Sequence, residues 1–221
     1  MENNATESGG KQEEDVVKVV IFDLNGTFYH ESSKEEFYKF ILSKRPNRIK
    51  YIFEMTYYYV RKKLNKINET EFKENFFNYL DEFPPAQVKE YAKAYWQQEF
   101  PDKFNKELLQ KFDTFRDRKD VVLYCATGGL ELYVKPLFDL YPIDGFAGTQ
   151  VKYNGKTYVV EGLACKEEEK LERLSKFLKG RPYRIIEAYS DSKEEILKRA
   201  EKAYLLDDGE IKPYNKSEEK D

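Results

Sequence analysis

The stretch Val19-Val20-Ile21-Phe22-Asp23-Leu24-Asn25-Gly26-Thr27 runs from a continuous apolar segment into an acid, and a glycine and a threonine follow at once. An apolar run of this length reads as a strand buried on both faces, the kind found in parallel sheets, and the glycine ends it. In open α/β sheets ligands bind at the carboxyl ends of the strands, so Asp23 is placed where a site would form.

Outward from that strand, which the pattern places at about Val16–Leu24, the period changes. From Ser33 to about Arg118 the apolar residues recur as they do on helices. Phe37, Phe40 and Ile41 share one face, and Ser33 with Glu36 has capping-box spacing. Pro46 opens a second helix through Ile52, Met55 and Val60, and Asn68 to Glu71 mark the start of a third. Pro84-Pro85 break the chain before a helix over Ala86–Phe100, and a last helix covers about Asp102–Phe115. Helices with no strand between them suggest a helical module inserted after the first strand.

Beyond Arg118 strands and helices alternate. Val121–Ala126 is an apolar strand, Glu167–Leu178 an amphipathic helix, Tyr183–Ala188 a strand, Ser192–Ala200 a helix and Ala203–Leu206 a short strand. Phe146–Tyr153 and Thr157–Val160 read as two strands joined by Asn154-Gly155, a type I′ hairpin signal. Such alternation indicates a parallel sheet with right-handed crossovers. The expected fold class is α/β: a Rossmann-like, doubly wound parallel sheet with an inserted helical cap and a small β-hairpin. The boundaries are a polar tail over 1–15, a core over 16–32 and 119–215, the cap over 33–118, and a charged tail over 216–221.

Composition narrows the function classes. Charged residues make up 36% of the 221-residue chain and the net charge is −3 with both signs interspersed, which speaks against a nucleic-acid groove. No apolar run is long enough for a membrane span, and no basic segment followed by an apolar one suggests a secretory signal. The two cysteines, Cys125 and Cys165, make no disulfide framework, and with His30 the single histidine no zinc site assembles by spacing. The expectation is a reduced, cytoplasmic protein.

Four stretches together resemble the motifs of the haloacid dehalogenase-like hydrolases, in the family's order. Asp23-Leu24-Asn25-Gly26-Thr27 is similar to motif I, Asp-x-Asp-Gly-Thr. Val121 to Gly129, an apolar strand ending in Thr127-Gly128-Gly129, resembles motif II, and Cys165 to Leu174 resembles motif III. Tyr189-Ser190-Asp191-Ser192-Lys193-Glu194-Glu195 resembles motif IV. The resemblance spans about Val16–Tyr214, and the spacing from Cys165 to Leu174 looks like the phosphoserine-phosphatase-like subgroup. It implies an Mg²⁺-dependent phosphatase acting on a small phosphorylated substrate. Asp23 is then the nucleophile and Asn25 stands at the general acid/base position. Thr127, Gly128 and Lys170 bind the phosphoryl group, with Lys166 the competitor of Lys170. Asp23, the backbone carbonyl of Asn25, Asp191 and Glu195 (directly or through water, with Glu194 adjacent) hold the metal.

Asn25 departs from the pattern. An amide neither protonates a leaving alkoxide nor activates water, and general acid–base help is typically worth about 10²–10⁴-fold. The chain is then a slow or acid-independent phosphatase, a phosphatase with a trapping substitution, or an inactive protein that binds Mg²⁺ and a phosphorylated ligand without turnover.

Other features have plainer readings. His30 reads as an exposed loop residue, Asp207-Asp208-Gly209 as a turn, and Cys125 as a small buried hydrophobe. The aromatic residues from Tyr51 to Tyr59 read first as packing within the cap. Peripheral membrane contact through that helix, flanked by Lys62 and Lys63, is the rival reading.

Overall fold

The computed structural model describes residues 16–215, so both expected tails lie outside the described residues. A six-stranded sheet has the order β3-β2-β1-β6-β7-β8. Its strands are β1 (Val17–Phe22), β2 (Val121–Leu130), β3 (Gly145–Thr149), β6 (Tyr183–Ser190), β7 (Lys202–Asp207) and β8 (Glu210–Pro213). All neighbours pair in parallel except β7 and β8. The central strand β1 is buried on both faces because its residues alternate between two cores. Val20 and Phe22 face one and Val19 and Ile21 the other.

Helices cover both faces. On the first lie α5 (Lys106–Arg116) and α6 (Glu131–Leu140), and on the second α7 (Glu168–Phe177) and α8 (Glu195–Arg199). From β1 the chain builds β2 and β3 to one side and then β6 and β7 to the other, so the strand order reverses between β1 and β6. That is the switch point at which doubly wound sheets bind ligands.

Four helices, α1 (Ser33–Lys44), α2 (Tyr51–Lys63), α3 (Glu69–Phe76) and α4 (Pro85–Glu99), follow β1. Phe37, Tyr95 and Trp96 carry their packing, and Trp96 donates its indole N–H to the carbonyl of Tyr133 in α6. The insertion expected over 33–118 is divided by packing. The Phe112 ring of α5 lies 4.5 Å from Phe22 and 5.5 Å from Tyr189, so α5 is a helix of the sheet layers.

Three further readings change. The segment after Pro46 starts as a 3₁₀ turn (Pro46–Lys50), with α2 beginning at Tyr51. β3 joins the main sheet, and the small hairpin is β4 (Val151–Tyr153) with β5 (Tyr158–Val160). Its loop runs over four residues, with the Asn154 side chain accepting the N–H groups of Lys156 and Thr157, so it is an Asx-type turn and not a two-residue type I′ one. The two-residue turn with positive φ at both positions occurs at Asp208 (48°) and Gly209 (83°), where it joins β7 to the unforeseen strand β8.

Candidate active site

The register of the sheet assembles the site. Phe22 at the end of β1 lies beside Cys125 of β2 and Tyr189 of β6. The next residues, Asp23, Ala126-Thr127 and Ser190-Asp191, therefore emerge together at the carboxyl edge. The Asp23 N–H donates to the carbonyl of Tyr189 at 2.9 Å, which fixes the acid at the switch point.

A cavity of about 270 Å³ opens there, between the sheet edge and helices α1 to α3. Asp23, Asn25, Gly128, Lys170, Asp191 and Glu194 line its floor. Lys170, in the first turn of α7, is 1% exposed. Its ammonium donates to Asp23 Oδ1 at 3.0 Å and to Glu194 Oε2 at 2.5 Å. Burial opposes the charge on Lys170, but Asp23 and Glu194 outweigh it and raise its pKa above the ordinary value. Burial and the neighbouring Asp23 charge push Asp191 and Glu194 upward.

Gly26 makes the close approach possible. Its φ is +67°, and a Cβ there would sit 2.3 Å from Asp191 Oδ2. Only glycine satisfies both the left-handed backbone and the contact.

Asn25 is held at both ends of its amide. Its carbonyl accepts the backbone N–H of Ser33 at 2.8 Å, and its NH₂ donates to Thr127 Oγ1 at 3.4 Å. A backbone N–H can only donate, so this orientation of the amide is required. Thr127 Oγ1 also accepts the N–H of Gly129 at 3.2 Å. The capping box expected from Ser33 and Glu36 does not form. Ser32 is the N-cap of α1 without a side-chain bond, and Asn25 supplies the acceptor.

Of the residues singled out from the sequence, Asp23, Asn25, Gly128, Lys170 and Asp191 line the cavity. Thr127 does not; it is fully buried behind Asn25. Glu195 does not either. It opens α8, where it pairs with Lys198 at 2.8 Å. Glu194, in extended backbone one residue earlier, turns into the cavity instead. Lys166 reaches the cavity rim, with its side chain 45% exposed. His30 is exposed and away from the cavity. Cys125 and Cys165 are free and buried, and burial pushes the Cys165 thiol up to about 12.

The upper wall was not foreseen. Lys34, Lys62, Lys73 and Lys166 project into the cavity with Glu69 among them. From the sequence Lys166 stands out only as the motif III competitor of Lys170, and Lys62 only as a flank of the aromatic helix; no spacing joins them to Lys34 and Lys73, because the four come from three different helices and a loop.

The donor set at the floor is oxygen only: the carboxylates of Asp23 and Asp191, with the Asn25 carbonyl on the same turn. Among the described residues no group of three or more His, Cys, Asp and Glu is arranged to enclose a metal ion. Mg²⁺ is commonly held by one or two carboxylates with several retained waters, so the residues present fit it.

The haloacid dehalogenase-like hydrolase model matches residues 20–194. No curated protein sequence matches the chain. Among solved structures, a Bordetella pertussis Tohama I protein of unknown function aligns with a TM-score of 0.61 at 12% identity, covering 86% of this chain and 81% of that one. A phosphoserine phosphohydrolase-like protein from Francisella tularensis aligns at 0.52 and 21% identity, with 81% and 80% covered. A phosphoserine phosphatase holding a phospho-aspartyl intermediate analogue aligns at 0.50 and 18% identity, with 85% of each chain covered. At these identities the likeness is one of fold. With the family model running from within β1 through β6, across the cavity floor and the helices between them, the chain belongs to the haloacid dehalogenase-like hydrolases.

Proposed function

We propose that the protein is an Mg²⁺-dependent phosphatase that hydrolyses a phosphate monoester through an aspartyl-phosphate on Asp23, slowly because residue 25 is asparagine. The observation that carries this reading is the clamp on Asp23. A buried ammonium holds one carboxylate oxygen at the carboxyl end of the central strand, and the other oxygen is left for attack in the cavity. Membership of the hydrolase family and the phosphatase names of the structural neighbours support it.

Asp23, Asp191 and the Asn25 backbone carbonyl would hold Mg²⁺, with Glu194 able to anchor its waters. When bound, the ion supplies charge neutralisation between the carboxylate nucleophile and the phosphoryl oxygens. Lys170 donates to one oxygen of Asp23 and adds positive charge beside the equatorial oxygens, where phosphoryl transfer gathers its negative charge. The Gly128 and Gly129 backbone lines the position a phosphoryl group would occupy.

Attack by Asp23 forms an oxygen–phosphorus bond and releases an alkoxide that needs a proton. Water then cleaves the acyl phosphate and returns the carboxylate. Both events gain from an acid/base at position 25, and the Asn25 amide, already engaged with Ser33 and Thr127, offers none. The same engagement is the observation behind a second reading, a protein that binds a phosphorylated ligand without turnover.

Among the described residues no helix is long and apolar enough to cross a membrane. Free, buried cysteines suit a reducing compartment and support a cytoplasmic site. The test is hydrolysis of para-nitrophenyl phosphate with and without Mg²⁺. Slow release that needs Mg²⁺ and vanishes in Asp23→Asn supports the enzyme. No release from either protein, with the phosphate ester still bound, supports the second reading.

A further inference from the structure

The cavity floor and its upper wall carry opposite charge. On the floor Asp23, Asp191 and Glu194 face Lys170, an excess of acid that suits a cation. On the wall Lys34, Lys62, Lys73 and Lys166 face the single acid Glu69, an excess of base. Glu69 is fully engaged. One oxygen pairs with Lys62, and the other lies 3.6 Å from both Lys73 and Lys166. Burial pushes its pKa up, but the lysines outweigh that and hold it below the ordinary value. Lys73 is the most enclosed of the four, 7% exposed, and donates to the carbonyl of Gly128. That contact ties the wall to the glycines of the floor. Lys34 and Lys62 lie against the Phe72 ring, 5.4 and 4.7 Å from its centre, which holds both ammonium groups at the wall.

The buried Lys73 and the half-buried Lys34 and Lys62, with the exposed Lys166 at the rim, surround one carboxylate and leave uncompensated positive charge along the cavity wall, at a cost that an anion would relieve. We propose that Lys34, Lys62, Lys73 and Lys166 form a subsite for a second phosphate of the substrate, which is then a phosphate monoester bearing another phosphate group. This rests on the phosphatase reading of the floor. It also separates the chain from phosphoserine-type substrates, because the wall's one acid is taken by lysines and leaves no carboxylate for a substrate ammonium.

The test compares glycerol bisphosphate, glycerol phosphate, phosphoglycerate and phosphoserine, both as substrates with Mg²⁺ and as ligands of the Asp23→Asn protein by calorimetry. The expected result is at least about a tenfold preference for the bisphosphate over glycerol phosphate in kcat/KM and in affinity, as charge-assisted contacts to several lysines require. Lys34→Met and Lys166→Met should each shrink that ratio. Both residues are less enclosed than Lys73, so these variants do not depend on a buried substitution folding. Preference in binding without hydrolysis keeps the subsite and removes the phosphatase. Equal binding of bisphosphate and monophosphate, a ratio unchanged in both variants, or a preference for phosphoglycerate or phosphoserine overturns the second-phosphate assignment.

A separate observation concerns the outer face of α2. Ile49, Ile52, Phe53, Tyr57, Val60 and Leu64 recur every three or four residues and are all exposed, Phe53 by 79%. Tyr51, Met55 and Tyr58 take the inward face, so packing accounts for only half of the aromatic helix. The charges are not evenly interspersed here. Residues 44–66 hold eight Lys and Arg against the single acid Glu54, in a chain of net charge −3; with Arg48 buried and Lys62 turned into the cavity wall, six are left for the outer side. An apolar stripe edged by cations is the pattern of a helix that lies in a membrane interface. A second copy of the same cationic face is a poor partner for it, because like charges would oppose each other.

We infer that this face of α2 docks on an anionic lipid surface. Sedimentation with vesicles of phosphatidylcholine alone, and of equal parts phosphatidylcholine and phosphatidylglycerol, tests it. Binding to the mixed vesicles only, weakened at least about tenfold by high salt and by Phe53→Ser or Ile52→Ser, is expected. Both substitutions are on solvent-exposed side chains, so they spare the core. No binding to mixed vesicles, binding indifferent to both substitutions, or self-association through this face overturns it.

Discussion

The side-chain carbonyl of Asn25 accepts the backbone N–H of Ser33 at 2.8 Å. The residue at the acid/base position of the catalytic turn therefore also caps the first helix of the insertion. A helix leaves its first N–H groups without intrahelical partners, and here the partner comes from the active-site loop and not from a neighbouring cap residue. The site and the helical layer above it share one hydrogen bond.

That bond makes Asn25→Asp a mild structural change. One carboxylate oxygen keeps the Ser33 contact, and the other replaces the amide that faces Thr127 Oγ1, whose hydroxyl can turn to donate. Mg²⁺-dependent hydrolysis of para-nitrophenyl phosphate should rise at least about tenfold, toward the 10²–10⁴-fold typical of general acid–base help. Unchanged steady-state rates would mean that the asparagine is native to the mechanism.

Removing Lys170 should cost stability as well as activity. Lys170→Met leaves Asp23 and Glu194 facing each other in a buried site without their cation, a loss of about 3–5 kcal/mol by urea unfolding. Adding Glu194→Gln should recover part of it, because one of the stranded charges is then gone. A Lys170→Met protein as stable as the parent would show that the clamp contributes little to the fold.

Lys73 sets a pH dependence of stability. Burial, the dominant cause, holds its pKa at about 8, below the ordinary 10.5. The folded state therefore binds fewer protons than the unfolded state between those values, and stability rises with pH across that window. The whole span amounts to about 3 kcal/mol. In the difference between parent and Lys73→Met, measured by denaturant titration across the window, the gain should belong to the parent alone. A flat difference would place the ammonium in a better solvated setting.

Gly26→Ala combines a left-handed backbone with a Cβ 2.3 Å from Asp191 Oδ2. Moving the Asp191 carboxylate should weaken Mg²⁺ binding, raising the half-saturating Mg²⁺ concentration of the reaction at least about tenfold, with a further loss of about 1–2 kcal/mol from the backbone. Normal Mg²⁺ activation in this variant would remove Asp191 from the metal site.

The floor of the site was legible because its residues are tied to strand ends. Asp23, Gly128 and Asp191 each follow an apolar run, and a parallel sheet brings such ends together whatever the insertion does. Lys170 was legible only through the resemblance of Cys165 to Leu174 to motif III, with Lys166 as its competitor; on its own it reads as a solvated helix lysine. What failed was local backbone. Glu194 and Glu195 are adjacent acids, and only the start of α8 at Glu195 decides that Glu194 faces inward. Asn154-Gly155 and Asp208-Gly209 carry similar turn signals, yet only the second has both residues at positive φ. Periodicity found α2 but not which of its two apolar faces meets the core, since both read alike. The lysine wall depended on long-range packing that no local pattern encodes.

In the proposed reaction Asp23 takes a phosphoryl group. The most direct measurement is intact and peptide mass spectrometry of the protein after incubation with acetyl phosphate and Mg²⁺, quenched in acid. A single added phosphoryl group is expected on Asp23, which accumulates because Asn25 slows its hydrolysis, is absent without Mg²⁺, and is lost in Asp23→Asn. No adduct at Asp23 while para-nitrophenyl phosphate is still turned over, or an adduct that persists in Asp23→Asn, would contradict it.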